Sequence, residues 1–378
     1  MHFPLPTLTE AILLVLVAIS FLLQLWFLLR RVRPLAFYKN KYSNAEFNKP
    51  VSIIICAKNE AENLERFLPE LLEQNYPEYE VVVVNDTSED DSDMVLARLK
   101  AKYPHLYYTT IPKDRIFRHG KKLALTIGVK AAKYDYLLLT DADCMPAGKN
   151  WLRRMVAPFA GQKTEIVLGF GGYNKEKGFC NLLVRYDTFF TAIQYLGFAL
   201  SSKPYMGVGR NLTYTKQLFV GNNGVKSHSH ILSGDDDLFV QQVIRKDNFA
   251  LSLDQEAHTI SIPPKTLRDW RNQKGRHLST SGYYRAGVKT ELAIEPISRQ
   301  LFLLSSIILV FFNTFAIAAA GLWFIRLVLQ LILWAGAAKV LNQGKLFWSV
   351  LFFDIIHPWL LLWAKIGTFN RRKSTQWK

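Results

Sequence analysis

The sequence predicts an α/β domain built on a mostly parallel sheet and flanked by transmembrane helices. Three observations carry this. Between residues 51 and 139, β-branched or apolar runs alternate with stretches of helical spacing, the pattern of strands buried on both faces and joined by right-handed crossovers. Long apolar runs with few charges occupy both ends of the chain. The buried runs also end in polar, acid-bearing loops, and in open sheets ligands bind in the crevice at that edge.

Residues 11–29 form a nearly continuous apolar run with no charge, long enough to span a hydrocarbon core at about 20 residues per roughly 30 Å. Arg30, Arg31, Arg33, Lys39 and Lys41 follow at once, while residues 1–9 hold no Lys or Arg. The positive-inside rule then places the amino terminus outside and the following domain in the cytoplasm. Because the charges come after the run, residues 1–33 read as a retained anchor rather than a cleaved signal peptide.

The soluble domain is expected over residues 48–260. Its first strand, VSIIIC (51–56), leads through Ala57, Lys58, Asn59 and Glu60 into a helix with Leu64, Phe67, Leu68, Leu71 and Leu72 at helical spacing. A second strand (80–84) ends at Asn85 and Asp86, and a helix follows over 94–103. The strand 106–111, a basic loop (113–122) and a helix (123–133) precede the buried strand YLLL (136–139), which stops just before Asp141 and Asp143. Residues 178–202 are aromatic-rich but carry Arg185 and Asp187. They read as a helix against the membrane, the floor of an acceptor site, or a core helix. Residues 261–299 are basic with interspersed aromatics and read as amphipathic interfacial helices. The segment 301–341 fits two spans turning near residues 320–321, and 346–366 contains Asp354, His357 and Pro358. A third span would put the basic tail (369–378) outside, so a re-entrant or interfacial segment is expected within 300–368.

The formal charge of +16 lies mostly beside the apolar segments and in 265–289, which favours an anionic membrane surface over nucleic acid. The three cysteines, Cys56, Cys144 and Cys180, lack metal-ligand spacing and are expected as reduced thiols.

Two carboxylates at i and i+2 after a central strand, Asp141 and Asp143, can share one hard divalent cation, Mg2+ or Mn2+, with the phosphate oxygens of a ligand. By position alone, Asp86 fits a helix N-cap. The adjacent acids at 235–237 fit an acidic helix start, and their mutual repulsion should raise at least one pKa.

Taken together, AKNEAENL, NDTSEDD, GKKLAL, TDADC, SGDDDLF and QKGRH, in that order, resemble the membrane-bound family-2 glycosyltransferases of GT-A (Rossmann-like) fold, the group of cellulose and hyaluronan synthases and ceramide glucosyltransferase. The resemblance runs from about residue 50 to 277. It implies nucleotide binding by Ala57, Lys58, Asn59, Glu60 and Asp86, phosphate contact by Lys121, and diphosphate and metal binding by Asp141 and Asp143. Aligning on G-D-D makes Asp236 the base, and aligning on the following D-L makes it Asp235; Asp236 is preferred. Gln273 and Arg276 would close over the diphosphate, while Gly209, Asn211 and His277 would lie on the acceptor side. His277 replaces the tryptophan that ends this pattern in processive synthases and stacks on the acceptor sugar there.

The resemblance therefore implies an inverting glycosyltransferase that takes a nucleotide-diphospho-sugar, a UDP-sugar by preference, and a lipid or glycan acceptor at a cell membrane. A processive polysaccharide synthase is the runner-up and would need a homo-oligomer or a partner subunit. A sugar-nucleotide-binding scaffold without catalysis is the third reading.

Overall fold

The computed structural model describes residues 7–43, 45–113, 120–231, 233–312 and 315–369. Helix α1 (Leu8–Phe27) continues through a π-turn (Leu28–Val32) into α2 (Arg33–Ala36). Pro34 lacks the N–H that would bond the Arg30 carbonyl four residues back, and Ser201 Oγ donates to that carbonyl instead, at 2.5 Å.

The sheet then builds in sequence: β1 (Val51–Ala57), α3 (Ala61–Leu72), β2 (Tyr79–Asp86), α4 (Ser92–Lys102), β3 (Leu106–Ile111), α5 (Lys121–Ala131) and β4 (Tyr136–Asp141). These four strands are mutually parallel, in the order β3-β2-β1-β4. Successive strand side chains point to opposite faces. Ile53 and Ile55 accordingly enter one core with α3 and α4, while Ile54 and Cys56 enter the other with α5.

The second half of the domain is antiparallel at its join. After β5 (Cys144–Pro146), α6 (Trp151–Val156), β6 (Ile166–Leu168), β7 (Gly171–Tyr173) and α7 (Phe179–Leu200), strand β8 (Leu212–Thr215) inserts between β4 and β6, antiparallel to both. Helix α8 (Lys216–Gly221), α9 (Asp237–Val243) and β9 (Phe249–Leu251) complete a seven-stranded sheet. Strand β10 (Thr259–Ser261) joins β5 and β7 in a small second sheet. Helix α10 (Leu267–Leu278) leads to α11 (Ala286–Phe311), α12 (Ala316–Val340) and α13 (Val350–Phe369).

Among the described residues, four helical segments are long and apolar enough to cross a membrane: Leu8–Ala36, Ala286–Phe311, Ala316–Val340 and Gly344–Gly367. One expectation needs correction here. The first C-terminal long helix begins at Ala286, inside the stretch read as interfacial, and α12 runs through residues 320–321, where a turn was expected. The charges that masked its start are neutralised within the bundle: Arg299 pairs with Glu295 and with Asp354. The segment 346–366, expected as re-entrant or interfacial, is helical from Val350 onward. Helix α13 runs unbroken through Pro358. The Asp354 carbonyl, left without its proline donor, accepts from Gln300 Nε2 at 3.3 Å.

Asp354 is the centre of a buried polar cluster that joins all four long helices. Its carboxylate receives Arg326 Nη1 (2.7 Å), Gln330 Nε2 (3.0 Å) and Arg299 Nη1 (3.2 Å). Gln24 of α1 accepts from Arg326 Nη2 (2.8 Å) and donates to Ser298 Oγ (2.8 Å). Helix α7, offered three readings by the sequence, is buried along most of its length and also forms one wall of the main cavity.

Candidate active site

The parallel strands deliver their carboxyl ends to one edge. β1 and β2 both leave the sheet through left-handed residues, Asn59 (φ 54°) and Thr87 (φ 52°), a conformation open to few non-glycine residues. The two loops are laced together there: Asn59 N donates to Ser88 Oγ (2.8 Å), and Asn59 Oδ1 accepts from Glu89 N (2.8 Å). Asp86 is fully buried as the last residue of β2. Helix α4 starts at Ser92 with Asp91 as its cap, so Asp86 is not an N-cap. Ala57, Lys58, Asn59 and Asp86 thus share the β1–β2 edge. The basic loop expected at 113–122 has residues 114–119 outside the described set.

Next to this edge lies a cavity of about 730 Å3. Glu60, Lys121, Asp141, Asp143, Asp235 and Asp236 line its sheet end, and Gln273, Arg276 and His277 line it from α10. Lys121 Nζ binds Asp141 Oδ1 at 2.7 Å and Asp235 Oδ2 at 3.4 Å. Burial opposes charge on both partners. Lys121, with Arg210 and Arg276 beyond it, nevertheless holds the Asp141 carboxyl below its ordinary range, and Asp141 and Asp235 keep Lys121 protonated. Asp143 is pushed up by burial and by the Asp141 charge.

The ligand atoms of Asp141, Asp143 and Cys144 lie within 4.8 Å of one another, although cysteine spacing gave no sign of it. Burial and the two acids push the Cys144 thiol far up, and its Sγ donates to Asp143 Oδ1 (3.3 Å). Thiolate ligands suit softer metals than magnesium. The pair therefore offers carboxylate oxygens to a cation, a donor set that fits magnesium or manganese.

The three adjacent acids hold three different positions. Gly234 (φ 95°) makes the turn before them. Asp235 faces Lys121. Asp236 caps α9, its Oδ1 accepting from Asp237 N (2.7 Å), and its Oδ2 accepts from Gly209 N (2.8 Å). A Cβ at position 209 would sit 3.3 Å from that carboxylate, so the glycine permits the approach. Burial, then Asp235 and Asp237, push Asp236 up to about 7. Glu60 is also pushed up to about 7, by burial and then by Asp143 and Asp141.

Asn211, expected on the acceptor side, is not among the residues that line the cavity. It is wholly buried, donating to the Phe170 and Ala257 carbonyls (both 2.8 Å) and accepting from Trp151 Nε1 (3.1 Å). A buried amide at this position is recruited to pin three separate chain segments, which spacing cannot distinguish from ligand contact. Gly209 acts on Asp236 and is absent from the cavity wall. His277 does line the cavity. It is exposed within the cavity, with Arg276, Lys274 and Arg210 nearby.

Sequence reasoning missed Arg210 and Asp187. Arg210 stacks over Tyr173 (4.6 Å), donates to the Gly171 carbonyl (2.6 Å) and lines the cavity. Its signal was a cation between the singled-out Gly209 and Asn211. Asp187 gathers Lys274 Nζ (2.7 Å), His357 Nε2 (3.0 Å) and Trp270 Nε1 (3.3 Å), tying α10 and α13 to α7. Its signal was a lone acid in an aromatic helix.

Residues 52–214 match the family model described as Glycosyl transferase family 2. Glycosyltransferase AglE of Haloferax volcanii is 30% identical over 192 residues, which cover 49% of this chain and 58% of AglE. A poly-β-1,6-N-acetyl-D-glucosamine synthase of Staphylococcus epidermidis is 30% identical over 93 residues, 25% of this chain and 21% of the synthase. The chain thus spans little more than half of the first of these relatives and about a fifth of the second. Mannosyltransferase PcManGT from Pyrobaculum calidifontis, solved in complex with GDP-Man and Mn2+, superposes with a TM-score of 0.60 at 18% identity, covering 97% of this chain and all of that one. Residues 52–214 thus resemble glycosyl transferase family 2, and the chain shares its fold with that mannosyltransferase.

Proposed function

We propose that this chain transfers a sugar, with inversion, from a nucleotide-diphospho-sugar to a hydroxyl of a membrane-borne lipid or glycan acceptor. One observation carries the reading: the cavity containing Asp141, Asp143 and Asp236 is also walled by Leu292 and Pro296 of α11 and Leu361 of α13. An acceptor between the long helices therefore has access to the acids without leaving the membrane. The positive charges after α1 orient the domain toward the cytoplasm.

In this reading the base and ribose lie on Ala57, Lys58, Asn59 and Glu60, with Asp86 accepting an imide N–H, which favours uracil. Lys121, Arg210, Gln273 and Arg276 face the diphosphate, guanidinium groups being suited to paired phosphate oxygens. Magnesium or manganese held by Asp141 and Asp143 would neutralise diphosphate charge as it departs. Asp236 takes the proton from the acceptor hydroxyl. The oxygen forms its bond to the anomeric carbon as the bond from that carbon to the diphosphate oxygen breaks, its electron pair leaving with the diphosphate.

The test is nucleotide release and product mass from the detergent-purified protein with a panel of UDP- and GDP-sugars, lipid extract and Mn2+. Release from one donor with a mass-shifted lipid or glycan supports the reading, and donor binding without turnover sinks it in favour of a scaffold. Chelation should abolish release, and added Mg2+ or Mn2+ should restore it; metal-independent turnover would remove Asp141 and Asp143 from their proposed role. The matched synthases favour a second reading, repeated addition to one chain, which the same assay separates as a ladder of products.

A pH profile follows from Asp236. The base acts ionised, so a carboxyl titrating at about 7 makes transfer rise with pH and reach half its plateau near 7. Glu60 titrates in the same range. The limb should persist in Glu60→Gln, at reduced height, and its disappearance there would reassign it to Glu60.

A further inference from the structure

Helix α9 carries Asp236 at its cap, and one face of it is bound to the linker between α10 and α11. Asp237 Oδ2 accepts from Thr280 Oγ1 and from Tyr284 Oη, both at 2.5 Å, while its Oδ1 accepts from Leu238 N at 2.8 Å. One turn further on, Gln241 Nε2 donates to the Tyr283 carbonyl (3.1 Å), and its Oε1 accepts from Arg285 N (2.8 Å). Arg285 Nη2 returns a bond to the Gln241 carbonyl (2.5 Å). Positions 237 and 241 are i and i+4, so both grips lie on one side of the helix. The linker end is itself fixed: the Tyr284 ring meets Tyr205 at 5.4 Å, which meets Phe198 of α7 at 5.1 Å. Asp237, Thr280 and Tyr284 are all buried.

We propose that Asp237 is a positioning residue: with Gln241 it locks the helix bearing Asp236 to the 280–285 linker, so that α10 and the long helix α11 set where the base stands. The linker leads directly from Arg276 and His277, which line the cavity, to Ala286, where α11 begins. Any shift of α11 relative to the sheet is passed to Asp236 through two side chains. Since Asp237 is adjacent in sequence, loss of the lock moves the base without removing it, and a displacement of about 1 Å is enough to lower a rate by about 10²-fold.

This inference rests on the transferase reading, and its test separates the two. The full chain in detergent is assayed with the donor and acceptor identified by the panel, comparing wild type, Asp237→Asn, Tyr284→Phe and the double variant. The expected result is a fall in kcat of about 10- to 100-fold for Asp237→Asn, a smaller fall for Tyr284→Phe, and a donor KM within about threefold of wild type. The double variant should fall no further than Asp237→Asn, because both changes open one lock. Unchanged kcat in Asp237→Asn, or additive losses in the double variant, would overturn the proposal.

Amide hydrogen exchange supplies the second readout. In Asp237→Asn, and more weakly in Tyr284→Phe, amides of 238–244 and 281–289 should lose protection together while β1 and β4 keep theirs. Unchanged linker protection overturns the lock whatever the activity. Wild-type protein that turns over no donor overturns the transferase reading, while the exchange pattern still decides whether the lock exists.

Discussion

Replacing Asp236 by asparagine is expected to lower transfer by about 10²–10⁴-fold, the usual contribution of a positioned general base, with nucleotide binding within a few-fold of wild type. The substitution keeps an oxygen to cap α9 through Asp237 N, so the helix should survive and the loss should fall on kcat. Asp235→Asn makes the contrasting control. Asp235 already faces Lys121, so its loss should disturb Lys121 and Asp141 and raise donor KM as well. Steady-state kinetics of both variants, with melting temperatures to verify folding, decide between the two acids. Full transfer by Asp236→Asn alongside a dead Asp235→Asn would move the base by one residue.

The second large effect is on stability. Asp354→Asn removes the negative charge that Arg326 and Arg299 share inside the helix bundle. Breaking a buried pair by deleting one partner costs about 3–5 kcal/mol in soluble proteins, because the remaining charge is left uncompensated. Two arginines depend on this carboxylate, and Glu295 pairs directly with Arg299. A marked drop in melting temperature in detergent, with loss of monodisperse protein, is expected, whereas Asp187→Asn should melt nearer to wild type because Asp187 sits beside a cavity. Equal melting of Asp354→Asn and wild type would show that the cluster adds nothing to the bundle.

Much of this domain was legible in the sequence because its central strands are simple. VSIIIC, EVVVV and YLLL are buried on both faces, and their polar endings mark the sheet edge where Glu60, Asp86 and Asp141 are found. The three-residue strands β5, β6, β7, β9 and β10 were not legible, since no periodicity develops over three positions. Nor was the antiparallel insertion of β8, which depends on tertiary pairing. The site divides the same way. Residue types at strand ends identified the acids that meet in the cavity, but Asn211 looked like a ligand contact until its amide was found to be fully engaged in the core. The start of α11 was hidden because hydropathy treats Glu295 and Arg299 as exposed charges, while in the bundle they face each other.

The cluster around Asp354 also bears on how the protein is made. Gln24 emerges early in synthesis, yet its bonds run to Glu295, Ser298 and Arg326, separated from it by 271 to 302 residues of chain. Helix α1 is therefore made with a polar side chain whose partners arrive only with the carboxyl-terminal helices. The catalytic domain has by then been translated, so final assembly of the bundle happens around an already folding sheet. A ribosome stalled before Asp354 would leave Arg299 and Arg326 without their shared counter-ion, and such a nascent chain should be a preferred target of membrane quality-control proteases.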